Sequence, residues 1–401
     1  MTPRQRFLAA FQSGSTQGPL IRAIDLGGPS GSLPTPVYQA VRREFGLKGP
    51  LGGGNEFFLA KFGLSALDEE LIEHLRPDTF WASLWPGEGE PDGLGQGSNP
   101  TAERRLKFNS DGSVSRLDYW GTVYQKAPGE NFYQVVYSPL ARATGPGDLK
   151  NYRFPALDGS FDEHWGRAAE KARASGQLAL CFGLDGVLET AGRLMGAERL
   201  KAGLAARKAL AENLLDRVAE AQLLVYGRLV SVLGDEIGAL TVYGQSPGTQ
   251  SKAFSWDAAV AGTVFPRQAV VFRALAEIGA GTTAVFFQNL GPAQIALAAD
   301  LGAGALMAPF WEPENSKMAG GCLGGSGGLG GSLELGRLVG WGGPPARVWQ
   351  SSDPEEARRL TAQWLESLDQ TVKIVTPWSA GSIITDPAAA AAVWRVCRGQ
   401  G

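Results

Sequence analysis

The feature that most constrains this chain is an alternation. Eight short apolar runs of strand character recur along it, at Leu20–Leu26, Thr79–Trp85, Leu178–Gly183, Ile237–Tyr243, Thr282–Phe287, Ala303–Ala308, Gly336–Gly340 and Val372–Thr376. Helical patterns fill the intervals at Ala197–Leu233, Pro266–Ile278, Pro292–Leu301 and Pro354–Leu368, and an Ala-rich helix over Pro387–Val396 ends the pattern. Strands separated by helices pair in parallel, and eight such units close on themselves. The expected fold is α/β, a (β/α)8 TIM barrel formed by residues 1–401 as one unit, with an open doubly wound sheet as the competitor.

Three segments stand apart from the alternation. At the start, Thr2, Pro3 and Gln5 spell a Thr-x-x-Gln capping box with proline at the first helical position, and Gly14 is placed to stop that helix. Residues Arg104–Tyr137 alternate with period two around Asp111-Gly112 and Pro128-Gly129, which reads as antiparallel hairpins inserted after the second strand, within residues 100–140. Residues Gly320–Gly343 hold 12 glycines in 24 positions, so a loop is expected there and Cys322 is poorly placed for precise chemistry.

Charge and cysteine usage exclude several classes. With 37 Lys+Arg against 40 Asp+Glu the formal net charge is −3, so neither nucleic acid nor an anionic membrane surface is an expected partner. No run approaches the ~18 apolar residues of a membrane span. The opening MTPRQRFLAAF carries charges where a signal peptide would be apolar. Cys181, Cys322 and Cys397 are an odd, scattered set without a CxxC pair, which points to a reducing cytoplasm rather than to a disulfide framework.

In a barrel, side chains at the carboxyl ends of the strands converge on the active site. Those positions are Arg22 and Asp25, then Trp81 and Trp85, Asp185, Tyr243 and Gln245, Gln288 and Asn289, Trp311 and Glu312, Trp341, and finally Trp378 and Ser379. The ring is aromatic and amide-rich, suited to a large, flat, partly apolar small molecule held by stacking and hydrogen bonds; a tetrapyrrole would fit. Asp25 is the leading catalytic candidate, because a carboxylate ending a buried strand costs energy unless it is paired or used. Asp185 is the second. Strand alternation puts Arg22 and Asp25 on opposite faces, so only one of them can face the chamber. The structural alternative for Asp25 is a cap on the glycine loop that follows it, and for several of the tryptophans it is ordinary packing between loops and helices.

The phrases TPRQRFLAAF, IRAIDLGGPSGS, LDYWG, YSPLARATGPGDLKNYRFP, LETAGRLMGAERL and GTQSKAFSWDAAVAGTVFPRQ together resemble the uroporphyrinogen decarboxylase superfamily, which also contains corrinoid-dependent methyltransferases. The resemblance implies a (β/α)8 barrel and either decarboxylation or methyl transfer. The departures are equally specific. Where the decarboxylases carry an Arg-rich phrase this chain reads DLGGPSG, and its second strand, DTFWASLWP, has Asp78 at the start and no carboxylate at the end. That argues against the enzyme of haem synthesis. Where the methyltransferases place zinc ligands, the chain has Gln288 and Asn289 in VFFQNLGP and no cysteine in SAGSIITDP, and Gln245-Ser246 replaces an acidic pair.

With two histidines and three cysteines in the chain, a thiolate zinc site is not expected; His74 and His164 lie in helix-like, charged surroundings. An oxygen-rich site at Glu312 and Glu314 is the remaining metal alternative, and the expectation is a metal-free protein without cofactor. Three functional readings follow. The first is decarboxylase-like lyase chemistry on a bulky carboxylated or tetrapyrrole-like substrate, with Asp25 or Asp185 moving the proton. The second is methyl transfer or demethylation with a corrinoid protein as partner. The third is a non-catalytic small-molecule binder, since amides keep hydrogen bonding where carboxylates would move protons. The insertion has two candidate roles, a lid over the mouth or a contact in a homodimer.

Overall fold

The computed structural model describes residues 1–12, 22–47, 64–65, 67–86, 106–130, 132–175, 179–243, 258–278, 282–287, 292–311, 339–368, 372–378 and 386–399. Fourteen strands lie among the described residues; β2 (Leu33–Pro34) and β3 (Leu64–Ser65) form a short antiparallel pair of their own, and eight form the barrel: β1 (Ala23–Ile24), β4 (Thr79–Ala82), β9 (Ala179–Leu184), β10 (Ile237–Tyr243), β11 (Thr282–Phe286), β12 (Ala305–Ala308), β13 (Val339–Gly342) and β14 (Val372–Val375). Their spatial order is β1-β14-β13-β12-β11-β10-β9-β4, with every ladder parallel. This is the (β/α)8 barrel expected from the alternation.

The seam between β1 and β4 is closed by one residue. The Asp78 backbone N–H donates to the Ile24 carbonyl (2.7 Å), and its carboxylate Oδ2 accepts the Ile24 N–H (2.8 Å). The other carboxylate oxygen, Oδ1, is gripped by Arg6 at 2.6 Å, which ties the first helix, Pro3–Gln12, to the same point. That helix begins with the capping box: Gln5 N–H donates to Thr2 Oγ1 (3.2 Å) and Thr2 N–H to Gln5 Oε1 (2.8 Å).

The helix fills a space the strands leave. The inward residues near the amino ends of the strands are small: Ala23, Ala179, Ala239, Ala284 and Ala305. Alanines alone cannot fill a barrel interior to protein density. Phe7 enters from the helix and packs edge-to-face on Trp341 with ring centroids 5.6 Å apart. A Cβ at Gly238 would meet the Ala179 side chain at 2.7 Å and the Phe7 ring at 3.2 Å, so glycine is required where β10 begins. Outward residues such as Leu180, Phe182, Leu240, Val242, Val285 and Leu306 meet the helices in a second apolar shell.

Several boundaries differ from the sequence reading. The seventh strand is described over Val339–Gly342 and so ends two residues beyond the expected Gly340, while 336–338 lie outside the described residues. The helix expected over Ala197–Leu233 is two, Ala197–Ala205 and Ala209–Leu233, broken where Arg207 takes φ +48° and the N–H of Lys208 returns to the Gly203 carbonyl. No glycine or proline marks that break. The helix expected from Pro266 begins at Ala258 and carries Pro266 inside it. The insertion is a four-stranded antiparallel meander, β5 (Leu106–Phe108), β6 (Val114–Leu117), β7 (Val123–Lys126) and β8 (Gln134–Tyr137). Its turns include the two expected, with Gly112 at φ +80° and Gly129 at φ +81°, and a third at Asp118–Gly121. There Asp118 Oδ1 accepts the N–H groups of Trp120 and Thr122, so LDYWG is a turn. Gly14 and most of Gly320–Gly343, Cys322 included, lie outside the described residues.

Asp78→Ala removes the acceptor of a buried N–H and of Arg6, and is expected to lower the unfolding free energy by about 3 kcal/mol in urea denaturation. An unchanged midpoint would show that the seam does not depend on this carboxylate.

Candidate active site

The site is built around Asp25, which follows β1 and is fixed by its N–H donating to the Val375 carbonyl (2.9 Å). Alternation along β1 turns Ala23 and Asp25 into the barrel, and Asp25 is 0% exposed. Alternation along β4 does the same for Thr79 and Trp81. Asp25 Oδ1 accepts the Thr79 hydroxyl and the Trp81 indole N–H (2.7 Å). Oδ2 accepts the Trp341 indole N–H (3.0 Å), and the Thr376 hydroxyl at the end of β14 completes the set. The two indoles are themselves in tilted contact, with centroids 5.9 Å apart and planes at 47°.

These four partners are neutral. Hydrogen bonds from neutral groups compensate part of the cost of burying a charge, but no cation among them supplies the rest. Desolvation therefore dominates and pushes the Asp25 carboxyl up to about 6 from its ordinary 3.8, with Thr79, Trp81, Trp341 and Thr376 pulling the other way. Burial, with the Asp25 carboxylate adding to it, pushes the neighbouring Cys181 thiol well above its usual range. A carboxyl with its proton in balance near neutral pH, in a dry enclosure at the carboxyl end of a barrel strand, can act as a general acid or base.

The Gly27-Gly28 turn after Asp25 serves this arrangement. Gly28 has φ +59°, and a Cβ there would lie 2.2 Å from the Trp81 ring, so the backbone itself is the surface on which the indole rests. Thr79, Trp341 and Thr376 are buried, whereas Trp81 is only partly so. Trp81 is thus the one of the four partners of Asp25 that is not buried.

Of the residues expected at the site, Asp25, Trp81 and Trp341 are brought together. Arg22 points away and donates to the Leu368 carbonyl in the helix layer, as the alternation requires. Asp185 lies near the end of β9 but is held by Arg193 through two bonds of 2.9 and 2.5 Å, and its carbonyl accepts from Gln222 and Tyr226. Beside it, burial pushes the Glu189 carboxyl up to about 8. Trp85 stacks on Tyr119 (4.8 Å, 18°) and meets Trp120 and Phe161 edge-on, which anchors the insertion to the barrel. Trp311 packs on Gly342 in the outer shell, and its carbonyl accepts the Trp364 indole N–H. Trp378 sits against Trp394 and donates to the Ala390 carbonyl (3.1 Å), also outside the barrel.

Tyr243 ends β10 in register with Phe286, and its side chain is not described. Gln245, Gln288, Asn289, Ser379, Glu312 and Glu314 lie outside the described residues. Thr79 and Thr376 were missed as partners of Asp25; the period-two spacing of Thr79 and Trp81 was the available signal.

Among the described residues no group of three or more His, Cys, Asp and Glu side chains could hold a metal ion. His74 packs on Phe45, His164 donates to the Ser83 carbonyl (2.9 Å), and Cys181 and Cys397 are free and far apart in the fold. The donor set among the described residues does not fit a zinc centre. No helix among the described residues is long and apolar enough to cross a membrane.

No family model and no curated protein matches the sequence. Among solved structures, a methyltransferase from Methanosarcina mazei aligns over 100% of this chain and 98% of its own, at 11% identity and a TM-score of 0.58. At that identity the likeness establishes the fold alone. A pyruvate carboxylase from Rhizobium etli aligns over 59% of this chain and 20% of its own at 14% identity, with a TM-score of 0.25 that carries no argument.

The Asp25 shift has a definite sign in stability. The folded chain keeps this proton up to about pH 6, whereas the unfolded chain releases it near 3.8, so stability falls as pH rises through that window. The full effect is about 3 kcal/mol. Asp25→Asn lacks this titration, so the difference in unfolding free energy between wild type and variant is expected to move by most of that amount, about 2 kcal/mol, between pH 4 and pH 7, the wild type losing ground. A pH-independent difference would mean that Asp25 titrates as an ordinary carboxyl.

Proposed function

We propose that this chain is a barrel enzyme of the uroporphyrinogen decarboxylase superfamily whose chemistry is proton transfer by Asp25, decarboxylase-like, on a bulky carboxylated or tetrapyrrole-like substrate. The observation that carries the reading is the fully buried Asp25 carboxyl, clamped by two indoles and pushed up to about 6. When the substrate loses carbon dioxide, the electron pair of the broken C–C bond is left on the substrate. Protonated Asp25 delivers its proton to that carbon and is reprotonated from water. Trp81, the partly exposed member of the clamp, offers its face to a flat substrate and places it beside the acid. The free thiols of Cys181 and Cys397 agree with work in a reducing cytoplasm.

A second reading, methyl transfer with a corrinoid protein as partner, is supported by the methyltransferase fold that spans this chain end to end. The two separate in one experiment. Carboxylated tetrapyrroles and aryl acetates are incubated with the protein in D2O, and methylated amines and alcohols with the protein and reduced cobalamin, both followed by mass spectrometry. The first reading expects loss of carbon dioxide with uptake of one deuteron, a rate that falls above about pH 6, and a loss of about 10²–10⁴-fold in Asp25→Asn. Methyl transfer without decarboxylation, or a decarboxylation rate unchanged in Asp25→Asn, would overturn it.

A further inference from the structure

A second carboxyl, at the carboxyl end of β9, is buried without a cation of its own. Glu189 stands in the first turn of the helix Val187–Met195, which follows β9, and is 7% exposed. Among the described residues its carboxyl bonds only its own backbone N–H. Arg193 lies four residues further on the same helix face, the spacing of a helical ion pair. Both of its terminal nitrogens go instead to Asp185, at 2.9 and 2.5 Å.

The other titratable groups around this turn do not supply the missing charge. Asp118, in the turn between β6 and β7, and Tyr124 on β7 face Arg193 from the meander. Tyr226 faces Asp185 and Glu189 from the helix Ala209–Leu233, donates to the Asp185 carbonyl (2.9 Å) and is kept neutral by burial. Three carboxyls thus share one guanidinium. A buried carboxylate without a counter-charge is costly, so Glu189 keeps its proton up to about pH 8, with burial as the main cause.

Uncommitted polar atoms gather at the same turn. Gln222 and Gln268 are both more than nine-tenths buried. Gln222 Nε2 donates to the Asp185 carbonyl (2.9 Å) and the Thr190 hydroxyl (3.2 Å), and Gln268 Oε1 accepts the Val187 N–H (2.9 Å). Both amides therefore sit at the start of the helix that carries Glu189, and Gln222 Oε1 and Gln268 Nε2 have no hydrogen-bond partner among the described residues. The strand leading here borders open space. Gly183 faces inward on β9, between Cys181 and Asp185 in the alternation. It is partly exposed although its outward neighbours Phe182 and Leu184 are fully buried, so the space beside it lies inside the barrel. From Cys181, the neighbour of Asp25, to Asp185 is about 13 Å along the strand direction.

An occupant of this place has to bring what the residues lack. A cation matches the ionised Glu189 and leaves the Asp185–Arg193 pair intact, so the two buried carboxylates are balanced by two positive charges. An anion would add a further unmatched charge. An ammonium group also carries several donors, enough for Glu189 and for Gln222 Oε1 together.

We propose that the first turn of the helix Val187–Met195 is an amine-binding subsite, in which the Glu189 carboxylate and Gln222 Oε1 accept from the ammonium group of a small molecule whose remainder extends into the barrel. Binding exchanges the proton on Glu189 for the positive charge of the ligand. The assignment goes beyond the reaction at Asp25 and does not depend on it.

Isothermal titration calorimetry on the full chain tests it with 2-phenylethylammonium, and with 2-phenylethanol and 3-phenylpropanoate as uncharged and anionic counterparts of similar shape. The amine is expected to bind more tightly than either. At pH 7 its binding is expected to release about one proton, read from the dependence of the heat on the ionisation enthalpy of the buffer, and to tighten about 10-fold from pH 6 to pH 7. Glu189→Gln keeps the shape of the side chain and removes its charge. It is expected to weaken amine binding at pH 8 about 10-fold or more and to abolish the proton release, with circular dichroism and the unfolding midpoint as controls for the fold. The wild-type comparison of the three probes stands whether or not the variant folds. No binding of the amine, binding without proton release, a counterpart that binds as tightly, or a folded Glu189→Gln that binds the amine like wild type would each overturn the proposal.

Discussion

The site depends on how the barrel is closed. β1 is two residues long, too short for a ladder to hold it in register against β4 by itself. Asp78 supplies what the ladder lacks: its N–H and carboxylate take both free backbone groups of Ile24, and Arg6 fixes the carboxylate from the first helix. Once Ile24 is pinned beside Asp78, the next inward residues on the two strands, Asp25 and Thr79, are within hydrogen-bonding reach, and Trp81 follows two positions on. The closure of the barrel and the assembly of the site are one event.

The two buried aspartates illustrate how environment divides the roles of identical side chains. Asp78 has Arg6 and a backbone N–H, so its charge is matched where it is buried, and it acts as a fastener. Asp25 has two indoles and two hydroxyls, strong enough to orient the carboxyl and too weak to hold it fully ionised. Asp185 falls in the first class, with Arg193 on both oxygens. A carboxyl that is oriented but not matched in charge opposes folding near neutral pH, which is the usual cost of a group kept ready for proton transfer.

Much of this was legible in the sequence. Eight alternating units determined the barrel, and period-two alternation on the first strand correctly separated Asp25 from Arg22. What the sequence hid was depth. Strand-end position does not distinguish a tryptophan inside the barrel from one in the helix layer, so Trp81 and Trp341 looked the same as Trp311 and Trp378, which pack against Trp364 and Trp394 outside the barrel. The break at Arg207 was hidden for a different reason. Its left-handed backbone is held by local bonds at the end of the preceding helix, from the Arg207 N–H to the Leu204 carbonyl and from the Lys208 N–H to the Gly203 carbonyl, with no glycine at that position to announce it. Asp78 likewise read as a carboxylate at the wrong end of its strand for catalysis, and its role at the seam depends on a neighbour 54 residues away.

What sets the Asp25 carboxyl apart is that neutral donors hold it where solvent does not reach it. The most direct test is a pH titration of its 13C carboxyl resonance in aspartate-labelled protein, assigned by its absence from Asp25→Asn. A midpoint at about 6, well above that of an exposed aspartate, is expected. A midpoint at or below 4 would contradict it, because it would mean that water or a cation reaches the carboxylate and that the enclosure described here is not dry.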